Sequence, residues 1–179
     1  AHHRRPLARA DQERLAERAG VSKGLGYAYF RDAEDVALTL WDREVSEVYR
    51  RVEAAGGEAE GFEEGWRQAI HAYFDVVAER GALLGTLQAH FVGARAQRRT
   101  RRRVAAFLEF WSARVSEAFA LEPGRATPLA AMMLNAADAA GRCWGAGLLS
   151  RDEAEQTCMR FLLEGVEGAV ASDGRRRAG

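Results

Sequence analysis

The sequence has little cysteine, little proline and almost no lysine. Its two cysteines, Cys143 and Cys158, fall inside apolar helical patterns and lack a C-x-x-C spacing. That argues against a redox pair and reads both thiols as core filler in a reducing compartment. Three prolines in 179 residues, beside abundant Ala, Leu, Glu and Arg, favour helices over strands. Lys23 stands alone against many arginines, a skew that reflects genomic base composition more than function. No apolar run approaches the ~18 residues of a membrane span, and Ala1-His2-His3-Arg4-Arg5-Pro6 does not read as a signal peptide. The expected compartment is therefore the cytoplasm. Net charge is zero, so a nucleic-acid partner has to be argued from local features.

Catalytic signatures are also missing. There is no Ser/His/acid spacing and no phosphate-cradling glycine loop. Glu58, Glu60, Glu63 and Glu64 read as an exposed acidic run. His71 and Asp75 share a helix face, but one i,i+4 pair is a poor metal signal. Neither a metal, a cofactor nor an enzymatic activity is expected.

What is present is punctuated helix. Asp11 caps a short helix stopped by Gly20, and Ser22 caps a second one over residues 23–29. Asp32 opens a long helix carrying Ala37, Trp41, Val45, Val48 and Val52, which ends at Gly56-Gly57. Phe62, Trp66, Ile70, Tyr73 and Val77 form the next stripe, with Gly81 as a break before a short segment from Leu83 to Phe91. An Arg-rich stretch at residues 95–103 reads as a solvated connection, or as a basic stripe adding sequence-blind affinity for DNA. Val104, Phe107, Leu108, Trp111, Val115 and Phe119 then make one face. Thr127-Pro128 has the form of a helix start, and Ser150 with Glu153 that of a capping box. The tail from Ser172 to Gly179 is expected to fray.

Two short helices around a glycine turn make a helix-turn-helix. In Leu15-Ala16-Glu17-Arg18-Ala19-Gly20-Val21-Ser22, Gly20 permits the turn, Val21 plugs the junction and Ser22 starts a recognition helix. This stretch, with Lys23-Gly24 and the aromatic Tyr27-Ala28-Tyr29-Phe30 before an acidic helix start at Asp32-x-x-Asp35, resembles the head of the TetR/AcrR family of transcriptional regulators. The resemblance implies an all-α protein: a helix-turn-helix head at 1–35, a connecting helix at 36–56, and a ligand-binding and dimerisation body at 57–171 before the 172–179 tail. It implies that Ser22, Lys23, Tyr27 and Tyr29 touch phosphates or bases, that Gly24 lets backbone approach DNA, and that Leu25 and Ala28 meet base edges. Both of the last two are apolar, so they can contact thymine methyls but cannot donate hydrogen bonds.

Three departures qualify the match. Gly26 replaces a core Leu, and Ala33 stands where a Lys often reaches phosphate. Only ten residues precede Asp11, where the family has a full helix. Either residues beyond this sequence supply that helix or the head lacks most of it. The first is favoured, because Leu15, Val21 and Phe30 would otherwise lose apolar cover.

In the body, apolar clefts with a few polar groups are the usual ligand sites. Trp66, Tyr73, His90, Phe107, Trp111, Asn135 and Asp138 are the candidate effector contacts. Small residues (Ala136, Ala140, Gly141, Gly165, Gly168) beside Leu129, Met133, Phe161, Leu162 and Val166 suggest half of an intermolecular four-helix bundle, and paired heads on two-fold DNA sites agree with a homodimer. The expected function is a regulator, most simply a repressor, whose affinity for duplex operator DNA responds to a small apolar or aromatic effector. A helical sensor or adaptor that does not bind DNA is the alternative, and a helical enzyme is less favoured.

Overall fold

A computed structural model describes residues 17–20, 33–91 and 94–177. Residues 17–20 close a turn, with Gly20 at φ +66° and its N–H bonded to the Glu17 carbonyl at 3.1 Å. The left-handed backbone there suits glycine. The rest of the head, including Ser22, Lys23, Gly24, Leu25, Tyr27, Ala28 and Tyr29, lies outside the described residues.

The described residues hold no strand and five long helices: α1 (Ala33–Gly57), α2 (Phe62–Phe91), α3 (Ala94–Phe119), α4 (Pro123–Gly145) and α5 (Arg151–Arg177). The fold is all-α. Helix α1 belongs to the body as much as to any connection, because Leu38, Val45, Val48 and Val52 are buried. It packs chiefly on α2 and also touches α3. Helices α3, α4 and α5 pack in sequence, and α5 returns to α2.

Local chemistry sets the ends. Gly61 at φ +84° turns the chain from α1 into α2. Glu122 is extended, and Pro123 occupies the first turn of α4, where its missing N–H costs nothing. At the other end of α4, Gly147 at φ +72° donates to the Trp144 carbonyl (2.8 Å), and the Leu148 N–H reaches Cys143 O (3.0 Å). That pair of bonds is a Schellman motif. The capping box opening α5 is present: Ser150 N donates to Glu153 Oε2 at 2.8 Å, and Glu153 N donates to Ser150 Oγ at 3.3 Å. Side-chain and backbone hydrogen bonds from Ser150 hold the Glu153 carboxyl below its ordinary range.

Four boundaries differ from the sequence pattern. Helix α2 runs straight through Gly81, so Leu83 to Phe91 is its C-terminal part and not a separate helix. Valine and leucine on both sides of Gly81 share one buried stripe, and that burial outweighs the roughly 1 kcal/mol cost of an internal glycine. Residues 95–103 form the first turns of α3, not a loop. Arg99 bonds Asp35 and Thr39, and Arg103 bonds Glu53, so this stretch is tied to α1. Helix α4 begins at Pro123, and Pro128 lies inside it. Thr127 turns its hydroxyl to Pro123 O and to Ser112 instead of capping. Helix α5 continues to Arg177, past Ser172, where fraying was expected.

The core centres on Trp66 and Trp111, which meet edge to face with centroids 4.6 Å apart. Phe74, Val76, Val115, Met133, Cys158, Leu162 and Val166 extend it. On the surface, Arg151 of α5 bonds Asp75 of α2 at 2.6 Å, and Glu155 lies 3.1 Å from the His71 ring. The His71–Asp75 pair noted in the sequence therefore links α2 to α5. Among the described residues no helix is long and apolar enough to cross a membrane.

Candidate functional site

Helices α1 to α4 enclose a partly open cavity of about 1020 Å³, at the upper end of the size range of small-molecule sites. Its shape follows from side-chain size. Trp41, Val45, Val48 and Val52 of α1 form one wall, and Val104, Phe107 and Leu108 of α3 another. On α2 the lining includes Ala78, Gly81, Ala82 and Gly85, small residues at helical spacing that leave open width where larger ones would fill it. A Cβ added at Gly85 would meet nothing within 4 Å. From Trp66 to Gly85 the lining extends about 28 Å along α2 at ~1.5 Å per residue.

The cavity brings together Trp66, Tyr73, Phe107, Asn135 and Asp138 of the sequence-derived candidates. Trp66 is buried, and its indole N–H has no hydrogen-bond partner among the described residues. Tyr73 donates to Asp138 Oδ1 at 3.3 Å, while burial pushes its hydroxyl pKa up to about 12. Asn135 turns its amide N–H back to Ala131 O at 2.7 Å. Trp111 does not line the cavity. It sits behind Trp66, against Phe107, Phe110 and the backbone at Gly56, so its expected place among the contacts is corrected to core. His90 lies in the last turn of α2, and its side chain is outside the described residues.

Two lining residues that sequence reading missed are Gly141 and Arg142 of α4. Arg142 pairs with Asp138 one turn away. By sequence Gly141 is a helix-packing residue, and what it packs on is the Tyr73 ring: a Cβ there would fall 2.9 Å from Tyr73 Oη. The signal for Arg142 was its i,i+4 spacing from Asp138 in the Ala-rich second half of α4.

The expected dimer residues divide between inside and outside. Met133, Leu162 and Val166 are 1%, 4% and 4% exposed within a single chain, so they are core and not available to a second copy. Leu129 and Ala140 are partly buried against that core. Phe161 remains on the surface, together with Met132 and Leu148, at 69%, 67% and 73% exposure.

No protein-family model matches this chain, and no curated protein sequence does. Its fold is similar to that in the crystal structure of a transcriptional regulator, FadR from Bacillus subtilis, in complex with stearoyl-CoA, with a TM-score of 0.69 over 86% of this chain and 87% of that one at 18% sequence identity.

Proposed function

We propose that this protein is a ligand-responsive transcriptional regulator whose effector is a long, largely apolar molecule held between α1 and α4. The observation that carries this reading is the large apolar cavity in a fold similar to a regulator crystallised with stearoyl-CoA. A long acyl chain is the favoured occupant. The α2 wall is about 28 Å long at ~1.5 Å per residue, whereas one leaflet of a bilayer has about half of a ~30 Å hydrocarbon thickness. An elongated chain uses that length, and a compact aromatic effector does not.

The helix-turn-helix pattern at residues 15–30 supplies the DNA-binding part of the proposal, with Ser22, Lys23 and Tyr27 on phosphates or bases and Leu25 and Ala28 at base edges. Helix α1 is the natural transmitter. It follows the head directly in sequence, and Trp41, Val45, Val48 and Val52 line the cavity. Filling the space moves the wall that leads to the head. In a homodimer the two recognition helices must reach successive major grooves about 34 Å apart, so a modest tilt of α1 misaligns them. The shift in DNA affinity is limited to the effector's preference between the two arrangements, typically ~1–3 kcal/mol.

The test is operator selection from a random duplex pool, followed by titration with and without an acyl effector. Lys23→Ala is expected to weaken binding to all duplexes and to flatten the salt dependence, whereas Leu25→Ala is expected to change the preferred site. Operator DNA must alter effector affinity by the same factor as effector alters operator affinity. Failure to select any duplex would sink the regulator reading and leave a sensor without DNA binding.

A further inference from the structure

Charge enters the wall of the cavity at one place. Among the described lining residues only Asp138 and Arg142 are charged, and they lie one turn apart on α4 with Tyr73 of α2 opposite. Asp138 is shared: Oδ1 accepts from the Tyr73 hydroxyl at 3.3 Å, and Oδ2 pairs with an Arg142 guanidinium nitrogen. Side-chain exposures of 50% for Asp138 and 60% for Arg142 put the pair at the rim, not the floor. Tyr73 is half-buried overall, and burial pushes its hydroxyl pKa further above neutral, to about 12. Its single O–H proton goes to Asp138 and can turn to an anion that takes the place of that carboxylate.

Gly141 makes this arrangement sterically possible. A Cβ at that position would stand 2.9 Å from Tyr73 Oη and 3.0 Å from Cε1, closer than real Cβ contacts. Its absence lets the phenol reach across α4 to Asp138. A guanidinium offers five N–H donors in a planar fork that matches an oxyanion, and the observed pair uses Nη1 toward Asp138. A carboxylate or phosphate arriving at the rim would compete with Asp138 for the same cation. An uncharged head would gain nothing by disturbing the pair.

We propose that Arg142 and Tyr73 form a head-group subsite that selects anionic amphiphiles, with the tail in the apolar cavity and the carboxylate or phosphate oxygens held by the Arg142 guanidinium and the Tyr73 hydroxyl. Asp138, already paired with that cation, sets the threshold an incoming anion must exceed. The subsite rests on the reading of the cavity as an effector site.

Three probes with the same sixteen-carbon chain separate the two ideas: hexadecanoate, hexadecyl phosphate and hexadecanol, titrated below their aggregation concentrations by intrinsic tryptophan fluorescence. Both anions should bind the parent about tenfold more tightly than the alcohol, the scale of one charge-assisted hydrogen-bond pair. Arg142→Gln should erase that preference and leave alcohol binding unchanged. Asp138→Asn, which removes the competing carboxylate, should tighten both anions and not the alcohol, an effect no general loss of structure produces. Whichever anion binds better identifies the head group. Equal binding of all three by the parent, or a preference that survives Arg142→Gln, overturns the subsite and leaves the cavity reading intact. Failure of all three to bind overturns both.

Discussion

Glu44 of α1, 1% exposed, is held by Arg80 of α2 in an ion pair that crosses between the two helices. Arg43, from the neighbouring position, bonds the other carboxylate oxygen at 3.0 Å. Burial pushes the Glu44 carboxyl up, but the hydrogen bonds and charges of the two arginines outweigh it and leave the pKa below its ordinary value. Arg80 is two-thirds covered and Arg43 mostly exposed, so the two should differ in effect. Arg80→Ala leaves a buried carboxylate with only the exposed Arg43 as partner and should cost up to roughly 3 kcal/mol, whereas Arg43→Ala should cost less than about 1 kcal/mol. Urea unfolding of each variant measures this. A depressed carboxylate pKa stabilises the fold above the ordinary value of 4.5, and that contribution is lost as pH falls through the folded pKa. The gap between parent and Arg80→Ala should therefore narrow below pH 4.5. A constant gap would mean that the pair does not act through charge.

Gly65 and Gly56 let the end of α1 and the start of α2 approach backbone to backbone. A Cβ at Gly65 would meet Gly56 O at 2.7 Å, and one at Gly56 would meet the buried Trp111 ring at 2.6 Å. Gly65→Ala should destabilise the protein by about 1–3 kcal/mol, as overpacking does. Gly85→Ala is the control: the added methyl meets open space in a helix interior, so it should stabilise by up to about 1 kcal/mol. Thermal melts of opposite sign are expected, and two losses of similar size would contradict the packing.

Sequence legibility followed the range over which each feature is encoded. The Ser150–Glu153 capping box was readable because its partners are three residues apart, and Gly20 and Gly56-Gly57 mark helix ends by their own chemistry. Gly81 misled because whether a glycine ends a helix depends on what its flanks bury. Leu84 and Leu87 continued the Val77 stripe, and that continuity was the better guide. Trp66, Tyr73, Phe107 and Asp138 could be picked as polar or aromatic residues on apolar faces, and they meet in the cavity. Trp111 has the same sequence character but sits one layer deeper, and periodicity does not distinguish those layers. The same limit placed Met133, Leu162 and Val166 on an outer face, although they are buried. Arg142 and Gly141 gain meaning only from Tyr73, which lies on another helix.

Cys158 and Cys143 should react very differently. Cys158 is buried in the core, and burial pushes its thiol up to about 12, so almost no thiolate exists to attack an alkylating reagent. Cys143 is half-buried. Native protein treated with iodoacetamide at pH 8 should take up one equivalent, mapped to Cys143 by peptide mass spectrometry. The second should appear only in denaturant. Rapid labelling of Cys158 in the native protein would show that α5 does not pack on the core as described.

The proposed homodimer now has a sharper test than apolar residues on α4 and α5 alone would give. Phe161 and Met132 are large and exposed on helices that otherwise bury their apolar faces, and each would contribute about 1.5–3 kcal/mol if fully covered by a partner. In a two-fold symmetric dimer each counts twice. Val166 lies one turn beyond Leu162 on the inward side of α5, 4% exposed. Phe161→Glu should therefore leave the helical signal and cooperative melting intact while converting a dimer to a monomer, because it introduces an unpaired charge only where a second copy would sit. Val166→Glu should abolish cooperative folding itself, because that charge is forced into the core of one chain. Light scattering gives the mass and circular dichroism the fold. A parent that runs as a monomer at micromolar concentration would remove the dimer from the proposed mechanism. A Phe161→Glu variant that remains dimeric would place the interface away from this part of α5. With Phe161 excluded, the exposed Met132 and Leu148 would be the next positions to substitute.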